Sequence, residues 1–331
     1  MNKKLILLGA SSLLLTLAPL SSCGTKAETM YLGKYPQTKV DDAALIESLT
    51  KSAGTLPTSE DTKSWTDYGY YCDGEIDSYM YYIDIDQDND GYNDYRGVYF
   101  TEYRPYWTTE TDEETYQQEN NGYSTNTVYW FKYESIKWNI LTKTDDNKAL
   151  ILTTSILDSQ DYNYTNDDRS DVNDYQGNKE TSTVYASNYM YSHIRSWLNT
   201  SFYETAFSKD EQNKILTTTV DNSASSTKDS SNKYACEDTK DKMFLLSYKE
   251  ATTYCSSDSS RKAQGTDYSN SQGLWVQTGS RNNGNSCYWF RSPNVDDSYH
   301  MSIVGFDGGI YDNYGVDDTD FGVRAACWIN L

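Results

Sequence analysis

The densest chemistry in the chain lies at residues 84–94, Asp-Ile-Asp-Gln-Asp-Asn-Asp-Gly-Tyr-Asn-Asp. Counted from Asp86, carboxylates fall at loop positions 1, 3, 5 and 9 (Asp86, Asp88, Asp90, Asp94). Gly91 stands at position 6, where the chain must turn sharply, and the Tyr92 carbonyl is available at position 7. Hard oxygen donors at alternating positions converge on one hard cation, so the pattern predicts a Ca2+ site built from Asp86, Asp88, Asp90, Tyr92 and Asp94. Gly97 replaces the Glu that an EF-hand carries at position 12, and Tyr81-Tyr82-Ile83 and Val98-Tyr99-Phe100 read as strands rather than helices. The expectation is a structural calcium clip between two strands, against the plainer alternative of a solvated acidic turn.

A second concentration lies at the C-terminal end. Tyr288-Trp289-Phe290-Arg291-Ser292-Pro293 opens a frame that Gly322-Val323-Arg324 and Cys327-Trp328-Ile329 close. Between them the chain is rich in Tyr, Asn, Asp, Ser and Gly, the composition of adaptable recognition surfaces. The candidate ligand-binding residues are Asn294, Asp297, Tyr299, His300, Phe306, Asp307, Tyr311, Asn313, Tyr314, Asp318 and Phe321. Strand alternation predicts that only about half of them face solvent. Trp289, Arg291, Arg324 and Trp328 read as scaffold, the arginines paired with buried carboxylates or carbonyls.

The elements that must position these groups mix both kinds. Residues 31–38, 80–100, 128–141, 149–156 and 243–246 read as strands, and short strands return after Leu274. A weak helical pattern covers 41–51, and residues 192–198 place Ile194, Trp197 and Leu198 on one face. Ser208 with Glu211 and Ser247 with Glu250 are capping boxes that start two further helices. Residues 157–183, 221–233 and 256–273 read as polar loops. The class is α+β, with short antiparallel strands, two or three helices and long loops.

The N-terminus reads as an export signal. Lys3 and Lys4 precede an uncharged apolar stretch, residues 5–20, and Leu20-Ser21-Ser22-Cys23 resembles a bacterial lipobox. The expectation is a signal peptide over 1–22, lipidation of Cys23, a tether over 23–30, an N-terminal strand and acidic insertion over 31–124, and a ligand-display domain over 125–331. The protein would then sit at the cell membrane by its lipid anchor, on the exported face. Net charge is −21, which argues against nucleic acid as a partner. Cys72, Cys236, Cys255, Cys287 and Cys327 remain after the lipidated residue, an odd number. Pairing of Cys287 with Cys327, or of Cys236 with Cys255, is conceivable and neither is deducible.

Several motifs together resemble the bacterial family known as domain of unknown function 6273: Tyr35-Pro36-Gln37, Ile136-Lys137-Trp138, Ser192-His-Ile-Arg-Ser-Trp-Leu-Asn199, Lys240-Asp-Lys-Met-Phe-Leu-Leu-Ser247, Trp289-Phe-Arg-Ser-Pro293 and Gly322-Val-Arg324. The likeness runs through most of 125–331. At its end this chain has Ala325-Ala326-Cys327 after Arg324, where the family tends to show Arg-Pro-Ala-Leu. The resemblance implies a fold like the C-type-lectin-like and formylglycine-generating-enzyme-like domains, some of which are diversified by retroelements that randomise adenines. Asn codons varied in that way do not become Lys, Glu, Gln, Met or Trp. Those types make up 59 of 331 residues, yet residues 294–322 contain Met301 alone.

The function expected is a surface-anchored binding module for an extracellular protein or glycan. The alternative is a structural envelope lipoprotein without a specific ligand. No nucleophile elbow, HExxH or phosphate-binding glycine loop occurs, and His193 and His300 are the only histidines. An enzyme, for instance one acting on carbohydrate through paired carboxylates, is therefore not expected.

Overall fold

The strand Tyr129–Lys143 organises the molecule. In the computed structural model, which describes residues 28–58, 61–68, 79–106, 116–279 and 282–331, it pairs antiparallel with three others. Phe131 pairs with Arg96 and with Lys39, and Trp138 pairs with Met30 and with Thr153. The strand Thr29–Lys39 therefore covers one edge, while Tyr95–Phe100 and Lys148–Thr153 share the other at opposite ends. Met80–Ile85 and Thr66–Asp67 extend the sheet beyond Tyr95–Phe100, and Ala326–Asn330 closes it beyond Lys148–Thr153. One sheet thus runs across the 124/125 boundary, because the acidic hairpin donates its strands to the same ladder as the C-terminal part. The signal stretch, Cys23, the tether through residue 27 and Cys72 lie outside the described residues.

Alternation along these strands feeds two cores. Phe131, Val98, Phe100 and Met80 face the main core, while their neighbours Trp130, Tyr99 and Tyr81 face a second one with Val40, Leu49, Ala53 and Trp65. Period-two geometry sends successive side chains to opposite faces. The helix Ala43–Ala53 contributes to that second core; the Asp42 side chain caps it by accepting from the Leu45 N–H, and Gly54 ends it at φ +75°.

A second sheet carries the C-terminal part. Ile310–Gly315, His300–Val304 and Tyr288–Pro293 form an antiparallel run; Gly322–Val323 then pairs parallel with Tyr288 and antiparallel with Asp158–Ser159. The α+β class holds. The helices are shorter and more numerous than expected, and one loop and one strand assignment change. Residues 256–273 contain Asp258–Arg261 and Asp267–Ser271, whose starts are capped by Ser257 and Thr266. The hydroxyl residues that suggested a loop act there as caps. Residues 243–246 form no ladder beyond one bridge from Phe244 to Ala326. Their backbone is held by side chains instead: Asn199 accepts from the Met243 N–H and donates to its carbonyl, and Arg291 donates to the Leu245 carbonyl.

The helix His193–Trp197 starts on the Ser192 side chain and runs through a π-helical turn, Leu198–Phe202, into Tyr203–Ala206. Its Arg195 is buried and donates to Asp241 from Nε at 2.9 Å and to the Met190 carbonyl at 2.6 Å. Both Ser208–Glu211 and Ser247–Glu250 capping boxes form as the sequence suggests. Cys236, Cys255, Cys287 and Cys327 are all free thiols, so neither conceivable pairing occurs. Burial pushes Cys236 up to about 11 and Cys287 up to about 12. Among the described residues no helix is long and apolar enough to cross a membrane.

Replacing Arg195 by Leu strands the Asp241 carboxylate, which has no exposed surface. We expect a loss of about 3–5 kcal/mol, read as a lower urea midpoint at unchanged m-value.

Candidate functional site

The C-terminal hairpin displays a patterned face. The strand Ile310–Gly315 alternates in burial, which leaves Tyr311 and Asn313 exposed while Tyr314 turns back onto the core. Tyr299, just before the partner strand, is exposed as well. Asp297, His300, Phe306 and Asp307 are half-buried around them.

Local hydrogen bonds fix this face. Asp297 Oδ1 accepts from the N–H groups of Tyr299 and His300 at 3.1 and 2.9 Å, and its Oδ2 lies 2.7 Å from His300 Nδ1. Asp307 accepts from the Gly309 N–H at 2.9 Å and from the Tyr311 hydroxyl at 2.8 Å, which holds that exposed ring over the turn. This bond is also the first cause that raises the Tyr311 hydroxyl above its ordinary range. The turn itself requires glycine: Gly308 has φ +86°, and a Cβ there would lie 2.0 Å from the Asp258 carbonyl oxygen.

Three of the candidate ligand residues are corrected to supports. Asn294, Asp318 and Phe321 are buried and cannot meet a ligand on this surface. Asn294 donates to the Asp312 carbonyl and accepts from the Asp296 N–H, which ties the loop to the display strand. Phe321 packs edge-on against Trp289 and Tyr314 at centroid distances of 4.8 and 5.0 Å. Below them Arg291 donates to Glu250 and to the Leu245 carbonyl, each at 2.5 Å. Arg324 donates twice to the Thr153 carbonyl, at 3.0 and 2.8 Å. Both arginines are the scaffold that their surroundings in the sequence suggested.

The aspartate loop joins two paired strands, with Ile85 opposite Tyr95. Asp86, Asp88 and Asp94 bring carboxylate oxygens within 4.8 Å of one another. Asp90 is not among them: it accepts from the Tyr92 N–H at 2.9 Å, and the Tyr92 ring is exposed. Asn89 and Gly91 both adopt positive φ, at 60° and 90°, and the turn brings the Asp90 and Gly91 N–H groups onto the Asp86 carboxylate. Asp84 takes no part, since it forms a two-pronged pair with Arg96 at 2.8 and 2.7 Å.

Sequence reasoning missed a third place, a polar cavity of about 180 Å³ between the first strand, the acidic hairpin and the helix at 193–206. At its floor the buried Asp158 carboxylate accepts from the Tyr35 hydroxyl at 2.6 Å, the Ser159 N–H at 2.8 Å and Gln160 Nε2 at 3.1 Å. Burial raises its pKa above the usual carboxylate range, against the opposing effect of these three bonds. Beside it Arg104 donates to the Ser159 and Gln272 carbonyls, and Asp161 sits 3.6 Å from Arg104 and 3.2 Å from His193 Nδ1. On the far side the Tyr68 and Tyr268 hydroxyls meet at 2.8 Å, and Tyr268 also accepts from Arg96 at 3.2 Å. In the sequence these acids lie in stretches read as polar loop, and Tyr35 reads only as a strand residue. The one available signal was the Tyr35-Pro36-Gln37 motif.

A family model described as domain of unknown function (DUF6273) matches residues 146–331. No curated protein and no solved structure matches the chain.

Asp158 gives a pH-dependent prediction. A carboxyl whose folded pKa is raised contributes stability that is complete below its unfolded pKa and is lost as pH rises through the folded value. The Tyr35 hydroxyl opposes this by favouring the ionised form. Tyr35→Phe should therefore cost about 1–2 kcal/mol near neutral pH and less in acid, as measured by denaturant melts at both pH values.

Proposed function

The chain belongs to the DUF6273 family, and from that premise we propose that it is a lipid-anchored binding module of the bacterial cell surface. Its C-terminal domain would be C-type-lectin-like and would bind an extracellular protein or glycan; it is read as a binder rather than an enzyme. The observation that carries this reading is the display hairpin. Tyr299, Tyr311 and Asn313 are exposed on a sheet whose underside is pinned by buried Trp289, Phe321, Arg291 and Arg324. The Tyr311 ring, already held by the Asp307 carboxylate, loses little conformational freedom when it binds.

Anchorage rests on Cys23 and the apolar stretch before it, which would place the protein on the exported face of the membrane. The negative net charge fits a partner other than nucleic acid. Diversification by a retroelement would vary the exposed positions and spare the buried ones, so Asn294, Asp318 and Phe321 should stay fixed while Tyr299, Tyr311 and Asn313 vary.

Arrays of extracellular proteins and glycans, probed with the full chain, test the binding surface. We expect a Tyr299→Ala, Tyr311→Ala double variant to lose tenfold or more in affinity for the ligand so identified, about 1.4 kcal/mol or more, without a change in Tm. A ligand bound equally well by the double variant, or no ligand at all, counts against this map and favours a structural envelope role.

Calcium is the second part of the proposal. Asp86, Asp88 and Asp94 would supply carboxylate oxygens and Tyr92 its carbonyl, with Asp90 needing to turn from its own backbone to join. The ion would relieve repulsion among the clustered acids and stiffen the hairpin. Calorimetry should show one calcium bound per chain and lost in Asp86→Asn; no binding at millimolar calcium removes the ion from the proposal.

A further inference from the structure

The cavity beneath the helix at 193–206 stands apart from the display hairpin and from the aspartate loop, and it is a built polar chamber rather than a packing defect. Its volume, about 180 Å³, is far above the roughly 10–15 Å³ that a single water needs. A packing defect in a core is lined by apolar atoms. Here the floor is the Asp158 carboxylate with Gln160, and one wall is the Tyr68–Tyr268 hydroxyl pair held by Arg96. Buried polar networks of this kind cost stability compared with apolar packing, which is reason to ask what they serve.

The charges decide what could enter. Arg96 is neutralised by its two-pronged pair with Asp84, and its guanidinium lies 4.2 Å from the Tyr82 ring centroid. Arg104 is taken up by two backbone carbonyls and by Asp161. Neither guanidinium is left to receive an anionic ligand. Asp158 already accepts three hydrogen bonds, so the floor does not offer an uncompensated carboxylate to a cation either. Asp67 adds a half-buried carboxylate to the lining, and the rest is a chamber of oriented hydroxyl, amide and imidazole groups between the rings of Tyr35, Tyr82, Tyr268 and Trp197. Directed hydrogen-bonding groups between aromatic faces suit a ligand that is polar at its edges and C–H-bearing on its faces.

We propose that this cavity binds a small, neutral, polyhydroxylated molecule of about the size of a single pyranose. The helix at 193–206 forms its mouth through Trp197, Ser201 and Thr205. The chamber is composite: Asp158, Gln160, His193 and Tyr268 come from the family-matched region, whereas Tyr35, Tyr68, Tyr82 and Arg96 come from the segments before it. The front part of this chain therefore supplies half of the recognition surface, and a relative with a different front part would take a different ligand or none.

The test is calorimetric titration of the full chain with glucose, galactose, N-acetylglucosamine and myo-inositol, and separately with succinate and glycine betaine as charged controls. At least one neutral polyol should bind at one per chain while neither control does. Ser201→Trp, at an exposed helix position, should block the mouth and abolish that binding with an unchanged melting temperature. Tyr268→Phe should weaken it about tenfold through the loss of one hydroxyl. Saturable heat from a charged control alone, no saturable heat from any of the four polyols, or binding unaffected by Ser201→Trp would each overturn the proposal.

Discussion

Irregular backbone buried inside the domain has to find hydrogen-bond partners, and in this protein arginine side chains supply them. Arg104, Arg195, Arg261, Arg291 and Arg324 are buried, and each donates to at least one main-chain carbonyl. The acceptors include Gly308, Cys255, Leu245 and Gln272, which lie in turns or at helix ends where no ladder or helical turn serves them. An unpaired buried carbonyl costs as much as a lost hydrogen bond. A planar guanidinium with five donors can satisfy several at once and stay charged while it does so. The carboxylates of Asp241, Glu250 and Asp161 then balance the charge. This is what allows irregular segments such as 157–163 to be buried.

The display face and the cavity both depend on that arrangement. Arg291 and Arg324 fix the underside of the C-terminal sheet, so its outer residues ride on a surface that does not need to move. Arg104 fixes the segment 157–163 against the helix Asp267–Ser271 and thereby sets the cavity floor. The two places differ in kind. One is an open face of exposed tyrosines, the other a recessed polar cavity with a mouth, and they share a scaffold without sharing side chains.

Much of the framework was legible in the sequence. Capping boxes are local chemistry, so Ser208–Glu211 and Ser247–Glu250 were readable without tertiary information. The alternating apolar positions over 128–141 likewise announced a strand, while only the fold shows that Trp130 and Phe131 bury opposite faces of it. The strand–loop–strand form of the aspartate loop followed from its flanks. What escaped reading was set by tertiary context. Residues 157–163 look solvated, but Leu157, Tyr162 and the polar groups between them are buried because arginine and tyrosine side chains reach them from distant segments. Residues 243–246 look like a strand but are held by Asn199 and Arg291. Asn294, Asp318 and Phe321 have the composition of a contact surface, and only the fold shows that they lie beneath it. The cavity was invisible for the same reason: its parts are spread from Tyr35 to Gln272 and no spacing connects them.

The free thiols carry a consequence for where such a chain can live. Thiolate is the species that attacks disulfides, and burial holds these cysteines protonated well above neutral pH. Cys236, Cys255, Cys287 and Cys327 are therefore poor substrates for oxidases and for scrambling exchange once the domain has folded. Among the described residues the architecture is indifferent to redox poise: it needs no oxidant to form, and no reductant can undo it. Once the domain has folded, added reductant should leave the described part of the structure as it is, since no disulfide holds it there.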